Sequence, residues 1–460
     1  MKQVISSKLA QFTNKRILIW GIGREGSSTY TFLRRHLPDQ ELLISDIQAF
    51  QDLPDDIRNK LEMDKKSSYI NQTPNLFDQQ IFEVVFKSPG ISPFSELGKK
   101  AISEVGAFWS NTRLFFELVK DNPNVYTIGI TGTKGKSTTA TVIYHLLNQA
   151  GKPTNLVGNI GQPALDLVES ILDQAAEEIS YPVLELSSHQ LLDLDSSPKI
   201  SVIQALSPEH LDYYPDVQQY YQAKESISRY QRSNDMVLFY QPSSQAEKIA
   251  LLSAAETKIA FSPALNANLV SKIETPLKGL HNLVNILPAI IIAEHLEISS
   301  SEIEKAIKTI EPLPHRLELI ATSNGVSFYN DSLSTTPIAT IQALEAFPDQ
   351  PVILLAGGYE RNQDYQLLTK TILQQNVPLL ILFPTTGDRL KTEVTQVAKK
   401  TNSPAPTITM VSSMQEAVEF AKHQAQPNDV VLLSPAAPSF NLFQDYADRG
   451  NQFKEAVLLD

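Results

Sequence analysis

The sequence predicts an α/β protein of three consecutive domains, and three observations carry that expectation. Two glycine-rich loops, Gly21-Ile-Gly-Arg-Glu-Gly26 and Gly129-Ile-Thr-Gly-Thr-Lys-Gly-Lys-Ser137, each follow a short apolar run and lead into a helical pattern. Beyond Glu311-Pro-Leu-Pro314, apolar runs and amphipathic stretches alternate again, as in a sheet covered by helices. The chain has 460 residues, too many for one core. The resulting division is a Rossmann-like domain over 1–118, a P-loop ATPase domain over 119–312 and a second Rossmann-like domain over 313–460.

In the first domain, Arg16–Trp20 reads as a strand that feeds the first glycine loop and a helix through Leu37. A second run, Glu41–Ser45, ends at Asp46, and Phe82–Ile91 is a further strand closed by the turn Ser88-Pro89-Gly90. A G-x-G-x-x-G loop with an acidic residue about 20 positions on is the fingerprint of a pyrophosphate bound at a helix N-terminus. In the second domain, strands are expected at 125–130, 181–186 and 200–205, continuous apolar runs suited to parallel strands buried on both faces. Helices are expected from Ala140 to Gln149 and from Asn285 to Glu294, with mixed signals over 233–268. In the third, 351–356, 378–383 and 429–434 are expected strands, and 414–424 is an amphipathic stretch between them.

Bulk composition excludes several classes. A net charge of −12 argues against nucleic acid as the partner, because that needs a basic footprint. With no cysteine, neither disulfides nor thiolate metal sites form. The first 20 residues lack a signal-peptide pattern, and no apolar run is long enough to span a membrane, so a cytoplasmic location and no membrane partner are expected.

The second loop is where chemistry is expected. Gly132, Thr133, Lys134 and Gly135 would turn backbone N–H groups towards phosphates, Lys136 would reach the terminal phosphates, and Ser137 would ligate Mg²⁺, with Thr138 following. A standard P-loop carries glycine where this chain has Ile130, with the nearest glycines at 129 and 132, so the nucleotide site is a variant one. Glu185 and His210 are expected at the carboxyl ends of neighbouring strands, where they rim a ligand crevice. Lys224 sits on a helical stretch, where a lysine is ordinarily solvated. Asn282 and Asn285, three apart at a helix start, share one face and suit a purine edge or ribose; a plain N-cap by Asn282 is the simpler reading. Arg316 is a candidate phosphate clamp, and Asp331 a candidate for ribose hydroxyls or a metal-bound water.

The segments Gly-Ile-Thr-Gly-Thr-Lys-Gly-Lys-Ser-Thr (129–138), Leu-Glu-Leu-Ser-Ser-His-Gln (184–190), His-Leu-Asp-Tyr-Tyr-Pro (210–215), His-Asn-Leu-Val-Asn (281–285), Pro-His-Arg-Leu-Glu (314–318) and Asn-Asp-Ser (330–332) occur in the order seen in Mur ligases, which the chain resembles nearly end to end. The resemblance implies an ATP-dependent amide-forming enzyme of peptidoglycan precursor synthesis, with a UDP-binding domain, an ATPase domain and a mobile C-terminal domain that closes over the site. Further marks at 88–91, 158–163, 433–439 and 448–453 resemble members that add glutamate to UDP-N-acetylmuramoyl-L-alanine.

On that resemblance the substrates are ATP, UDP-N-acetylmuramoyl-L-alanine and glutamate, and the protein is expected to be a monomer. Lys136, His210 and Lys224 are the implied catalytic residues. Two Mg²⁺ ions are implied at Ser137, Glu185, His210 and Lys224, the lysine being carbamylated in the family, a reaction that needs a neutral amine. Asn282, Asn285, Arg316 and Asp331 are implied on ATP. The first glycine loop becomes a UDP site, with Gly23, Arg24, Glu25, Asp46, Ser88 and Asn159 on the UDP substrate. Thr335, Arg361, Ser439 and Tyr446 are implied on glutamate. Two positions depart from most D-glutamate-adding members, which have lysine where this chain has Leu333 and Arg361. Asp331-Ser-Leu-Ser-Thr-Thr-Pro337 with Gly357-Gly-Tyr-Glu-Arg361 resembles a subgroup that adds L-glutamate, which inclines the reading to the L isomer. The competing expectation is a relative with another acceptor, of the folylpolyglutamate or cyanophycin synthetase kind, against which the loop at 21–26 argues.

Overall fold

The computed structural model describes residues 2–79, 81–440 and 442–459. Three sheets run in chain order. The first comprises β1 (Ile17–Trp20), β2 (Leu42–Asp46), β3 (Ser67–Asn71), β4 (Val84–Lys87) and β5 (Ala107–Trp109), in the spatial order β3-β2-β1-β4-β5. All neighbours are parallel, and the order reverses between β1 and β4, where a doubly wound sheet opens a crevice at its carboxyl ends.

The second sheet comprises β6 (Ile128–Thr131), β7 (Thr154–Gly158), β8 (Tyr181–Glu185), β9 (Ile200–Ile203), β10 (Met236–Tyr240) and β11 (Thr257–Phe261), ordered β11-β10-β9-β6-β8-β7 and again parallel. The central strands β6, β8 and β9 are buried along their whole length, which explains their unbroken apolar runs. The third comprises β12 (Glu318–Ser323), β13 (Val326–Asn330), β14 (Val352–Gly357), β15 (Leu379–Phe383), β16 (Thr407–Met410) and β17 (Val430–Leu433), ordered β12-β13-β17-β14-β15-β16. Only the β12–β13 pair among these is antiparallel, closed by Asn324 and Gly325 at φ 52° and 78°, the left-handed pair of a two-residue hairpin.

The chain forms two compact units, Met1–Lys272 with Val284–Ile307, and Ile273–Leu283 with Lys308–Asp460. The first holds the first two sheets. Its core is continuous from Ile5 and Phe12 through Phe115 and Phe116 to Leu165, Val168 and Ile171. Buried Asn111 ties the two sheets' helices together: its amide donates to Ser28 Oγ (3.0 Å) and Thr29 Oγ1 (3.2 Å), and its carbonyl oxygen accepts from Leu165 N–H (3.3 Å). The second unit packs its sheet between two apolar clusters, one built on Leu354, Leu380 and Leu432 and the other on Leu355, Ile381 and Val431. Among the described residues no helix is long and apolar enough to cross a membrane.

Candidate active site

The first glycine loop lies at the β1–β4 switch point and opens a cleft of about 410 Å³ whose lining includes Gly23, Arg24, Glu25, Asp46, Ser88 and Asn159. The loop is closed from within. Ser88 Oγ donates to the Gly21 carbonyl (2.7 Å), Asp46 Oδ2 accepts from Ile22 N–H (2.7 Å), and a Cβ at Gly26 would overlap the Gly21 carbonyl. Asp46 Oδ1 accepts from Gln48 N–H (3.0 Å), so this carboxylate shapes the loop through both oxygens. Arg24 points its guanidinium at the carbonyls of Gly158 and Gly161, at the end of β7. Glu25 is held above its ordinary range, at about 7, chiefly by burial; Oε1 accepts from Gln190 Nε2 (2.6 Å), and Oε2 is buried with no partner among the described residues.

The second loop follows β6. Gly132 and Gly135 have φ of 155° and 83°; a Cβ on Gly132 would come within 2.6 Å of Gln204 Cβ, and one on Gly135 would overlap Asn285 Oδ1. Both glycines are therefore required by backbone angle and by space. The helix begins at Lys136, four residues before the start the sequence suggested, so Lys136, Ser137 and Thr138 occupy its first turn. Gly129 serves differently: it lies inside β6, and a Cβ there would overlap Pro198 Cγ. The loop proper is thus Gly132–Gly135. Lys136 Nζ donates to the Thr133 carbonyl (3.1 Å), Thr133 Oγ1 meets Tyr220 Oη (2.9 Å), and Lys134 is exposed. Thr138 Oγ1 is buried without a partner among the described residues.

Glu185 is the last residue of β8 and is 1% exposed. Asn159 holds it twice, by Nδ2 to Oε1 (3.0 Å) and by its backbone N–H to the Glu185 carbonyl (2.9 Å). Oε2 is buried and unpartnered among the described residues, an arrangement that costs free energy unless a cation or donor meets it.

Lys224 contradicts the expectation of a solvated helix lysine. It ends the helix Val217–Lys224, is 2% exposed, and reaches the Gly132 carbonyl (3.1 Å) and Thr131 Oγ1 (3.3 Å) beneath the loop. Burial, reinforced by the Lys136 charge, pushes its pKa well down, which favours the neutral amine. His210 also differs from expectation. It sits in the loop beyond β9 at φ 57°, not at the strand end, with a half-open side chain. Its ring lies 4.8 Å from that of His189, whose buried Nε2 has no partner among the described residues. Among the described residues no three His, Asp or Glu side chains form a ready-made metal cluster. Asn282 and Asn285 both lie on the helix Leu280–His295 and are buried. Asn282 Nδ2 donates to the Lys278 carbonyl (2.7 Å), and because Asn282 is the third residue of the helix it is not the N-cap that the simpler reading expected.

In the second unit, Asp331 directly follows β13 and is 3% exposed. Its carboxylate accepts from Ser434 Oγ (2.8 Å) and Leu317 N–H (3.2 Å); burial still lifts its pKa to about 6. The Arg316 Nε is buried without a partner among the described residues. Sequence reasoning gave no role to Arg449, which is wholly buried and has no acidic partner in contact among the described residues. Its guanidinium donates to Ser332 Oγ (3.0 Å), the Ser332 carbonyl (2.8 Å) and the Ala437 carbonyl (3.0 Å), pinning the segments after β13 and β17. Thr335 and Ser439 belong to those same segments; the Thr335 carbonyl accepts from Gln363 Nε2 (3.1 Å), and Ser439 is buried. Tyr446 opens the helix Tyr446–Leu458, and its carbonyl accepts from Ser332 Oγ (2.7 Å). Arg361 is exposed, its guanidinium 5.7 Å over the Phe440 ring.

Residues 130–268 match the family model of the Mur ligase middle domain, and residues 315–437 that of the Mur ligase, glutamate ligase domain. The chain is 31% identical to UDP-N-acetylmuramoyl-L-alanine--L-glutamate ligase of Xanthomonas oryzae pv. oryzae over 98% of this chain and 97% of that protein. It is 32% identical to UDP-N-acetylmuramoylalanine--D-glutamate ligase of Acetivibrio thermocellus over 96% of each. Among solved structures, MurF ligase from Thermotoga maritima in complex with ADP shares the fold, with a TM-score of 0.57 at 12% identity over 91% of this chain and 94% of that one.

Proposed function

The chain belongs to the Mur ligase family, and from that premise we propose that it is the ATP-dependent ligase that joins glutamate to UDP-N-acetylmuramoyl-L-alanine. The observation that carries the ATP half is the loop at 132–135, with Glu185 Oε2 buried and unpartnered among the described residues and the buried Lys224 amine beneath it. The first cleft takes the UDP moiety: its glycine loop and helix N-terminus suit a pyrophosphate.

The substrate's alanyl carboxylate attacks the γ-phosphorus of ATP, giving an acyl phosphate and ADP. Two anions must meet, so positive charge at the phosphates is required. Lys136 supplies one such charge, and the N–H groups of Gly132–Gly135 supply fixed dipoles. The residues present fit Mg²⁺: Ser137 and Glu185 would hold it, the latter through its unpartnered oxygen, joined by His210 and by Lys224 once carbamylated. Bound Mg²⁺ would neutralise phosphate oxygens. The amine of glutamate then attacks the acyl carbon, phosphate leaves with the C–O bond's electrons, and the amide nitrogen gives up its proton. Asn282, Asn285, Arg316 and Asp331 are assigned to the nucleotide, and Thr335, Ser439 and Tyr446 to glutamate.

L-glutamate is the preferred isomer in this reading. Leu333 and Arg361 stand where D-adding members carry lysines, and the exposed guanidinium fork of Arg361 suits bidentate binding of the side-chain carboxylate. The test is phosphate release measured with each substrate omitted in turn. Release is expected only when ATP, UDP-N-acetylmuramoyl-L-alanine and glutamate are all present, and Lys136→Ala should abolish it without changing the melting temperature. Release that proceeds equally without the muramoyl substrate contradicts the reading.

A further inference from the structure

Two consecutive residues of the first glycine loop reach across to the second sheet and converge on Glu185. Arg24 donates through Nη2 to the carbonyls of Gly158 (3.0 Å) and Gly161 (2.9 Å), and through Nη1 to that of Asn159 (3.4 Å). Asn159 is the residue whose amide and backbone N–H hold Glu185. Glu25 Oε1 accepts from Gln190 Nε2 (2.6 Å); Gln190 Oε1 in turn accepts from Ser187 N–H (2.9 Å) and Ser187 Oγ (3.0 Å), a capping box that sets the turn two residues past Glu185. One hydrogen-bonded path thus runs from Arg24 through Asn159 to the Glu185 carboxylate, and a second from Glu25 through Gln190 to the turn that follows Glu185; both start from residues that line the first cleft.

Neither path is needed for loop closure, which Ser88 and Asp46 provide, or for joining the sheets, which Asn111 and the shared core provide. Glu25 also keeps one oxygen buried and without a partner among the described residues, an expensive feature for a simple structural contact. Arg24 is exposed and lines that cleft, so an anion bound there attracts its guanidinium.

We propose that Arg24 and Glu25 are positioning residues that couple a diphosphate bound in the first cleft to the placement of Glu185, so that filling one cleft prepares the other. This rests on the assignment of the clefts given above. A ligand that orders the clasp spares the second ligand part of its ordering cost, which gives positive coupling. By linkage the effect is reciprocal, the nucleotide tightening the diphosphate by the same factor.

Calorimetry on the full chain tests this, with UDP as one probe and AMPPNP with Mg²⁺ as the other. Saturating UDP is expected to tighten AMPPNP binding by about fivefold or more, the low end of ordinary coupling. In Arg24→Ala and in Gln190→Ala the ratio is expected to fall to about unity. Gln190 is not among the residues lining the first cleft, so Gln190→Ala should leave the affinity for UDP alone within about twofold, and a melting curve checks that each variant is folded. A ratio of one in the wild type, or a wild-type ratio kept in both variants, overturns the coupling while leaving the assignment of the clefts standing. If UDP does not bind the wild-type protein, the assignment of the first cleft falls, and this proposal with it.

Discussion

At the scale of single residues, Lys224 separates stability from function most sharply. Its amine is buried, donates to a carbonyl and a hydroxyl and lies over the Tyr220 ring, and burial holds its pKa well below 10.5. Between that depressed value and 10.5 the unfolded chain binds a proton that the folded chain does not, so stability rises with pH across this window. Lys224→Met fills the space without a charge to desolvate. In buffer free of Mg²⁺ and bicarbonate it is expected to raise stability at pH 7 by about 1 kcal/mol, to remove that pH slope, and to abolish ligation. Urea unfolding at several pH values, beside a turnover assay, checks all three; a variant that is less stable and fully active would contradict the account. The sequence pattern gave no sign of this burial, because the helix around Lys224 is short and mixed and the cover comes from Thr131 and Gly132, more than ninety positions upstream in the chain. Only the resemblance singled it out. Arg449 and Gln190 escaped for the same reason: their partners, Ser332 and Glu25, are distant in sequence.

At the scale of elements, a glycine of the nucleotide loop and one of the strand before it have different jobs. Gly135 needs its left-handed backbone and the space beside Asn285. Gly135→Ala is expected to displace the first turn of the helix that carries Lys136 and to lower kcat/KM for ATP on the order of 100-fold. Gly129→Ala instead pushes β6 against Pro198, with an expected loss of roughly 1–3 kcal/mol of stability and little change in kcat of the folded enzyme. Steady-state kinetics and urea unfolding on both variants distinguish them; equal effects would show that the loop extends into the strand. Strands buried on both faces, such as β6, β8, β14 and β15, were legible as apolar runs. Edge strands were not. β3 and β16 are half exposed, so their side chains alternate too weakly to stand out. The hairpin β12–β13 was not anticipated either, although its Asn324-Gly325 turn is of the two-residue kind that favours a hairpin.

At the scale of the whole molecule, three α/β sheets in chain order were expected and three are present, grouped in two compact units. What the sequence left open is how the first two sheets share one core, because Asn111 and the clasp residues read individually as ordinary polar positions. The first unit gathers the residues assigned to UDP, to the phosphates and to the metal. The second gathers Arg316, Asp331, Arg361 and the segments pinned by Arg449, residues proposed for the nucleotide and for the choice of glutamate. That choice is the point on which the relatives divide, since proteins named for each isomer match this chain at nearly equal identity. The most direct measurement is therefore a ligation assay with ATP, Mg²⁺ and UDP-N-acetylmuramoyl-L-alanine, offered L-glutamate and D-glutamate in separate reactions, with the product identified by mass. The account predicts a product heavier by one glutamyl residue, formed with release of phosphate, and formed faster with the L isomer. Absence of that product with both isomers would contradict the ligase itself, and a product formed only with D-glutamate would contradict the roles given to Leu333 and Arg361.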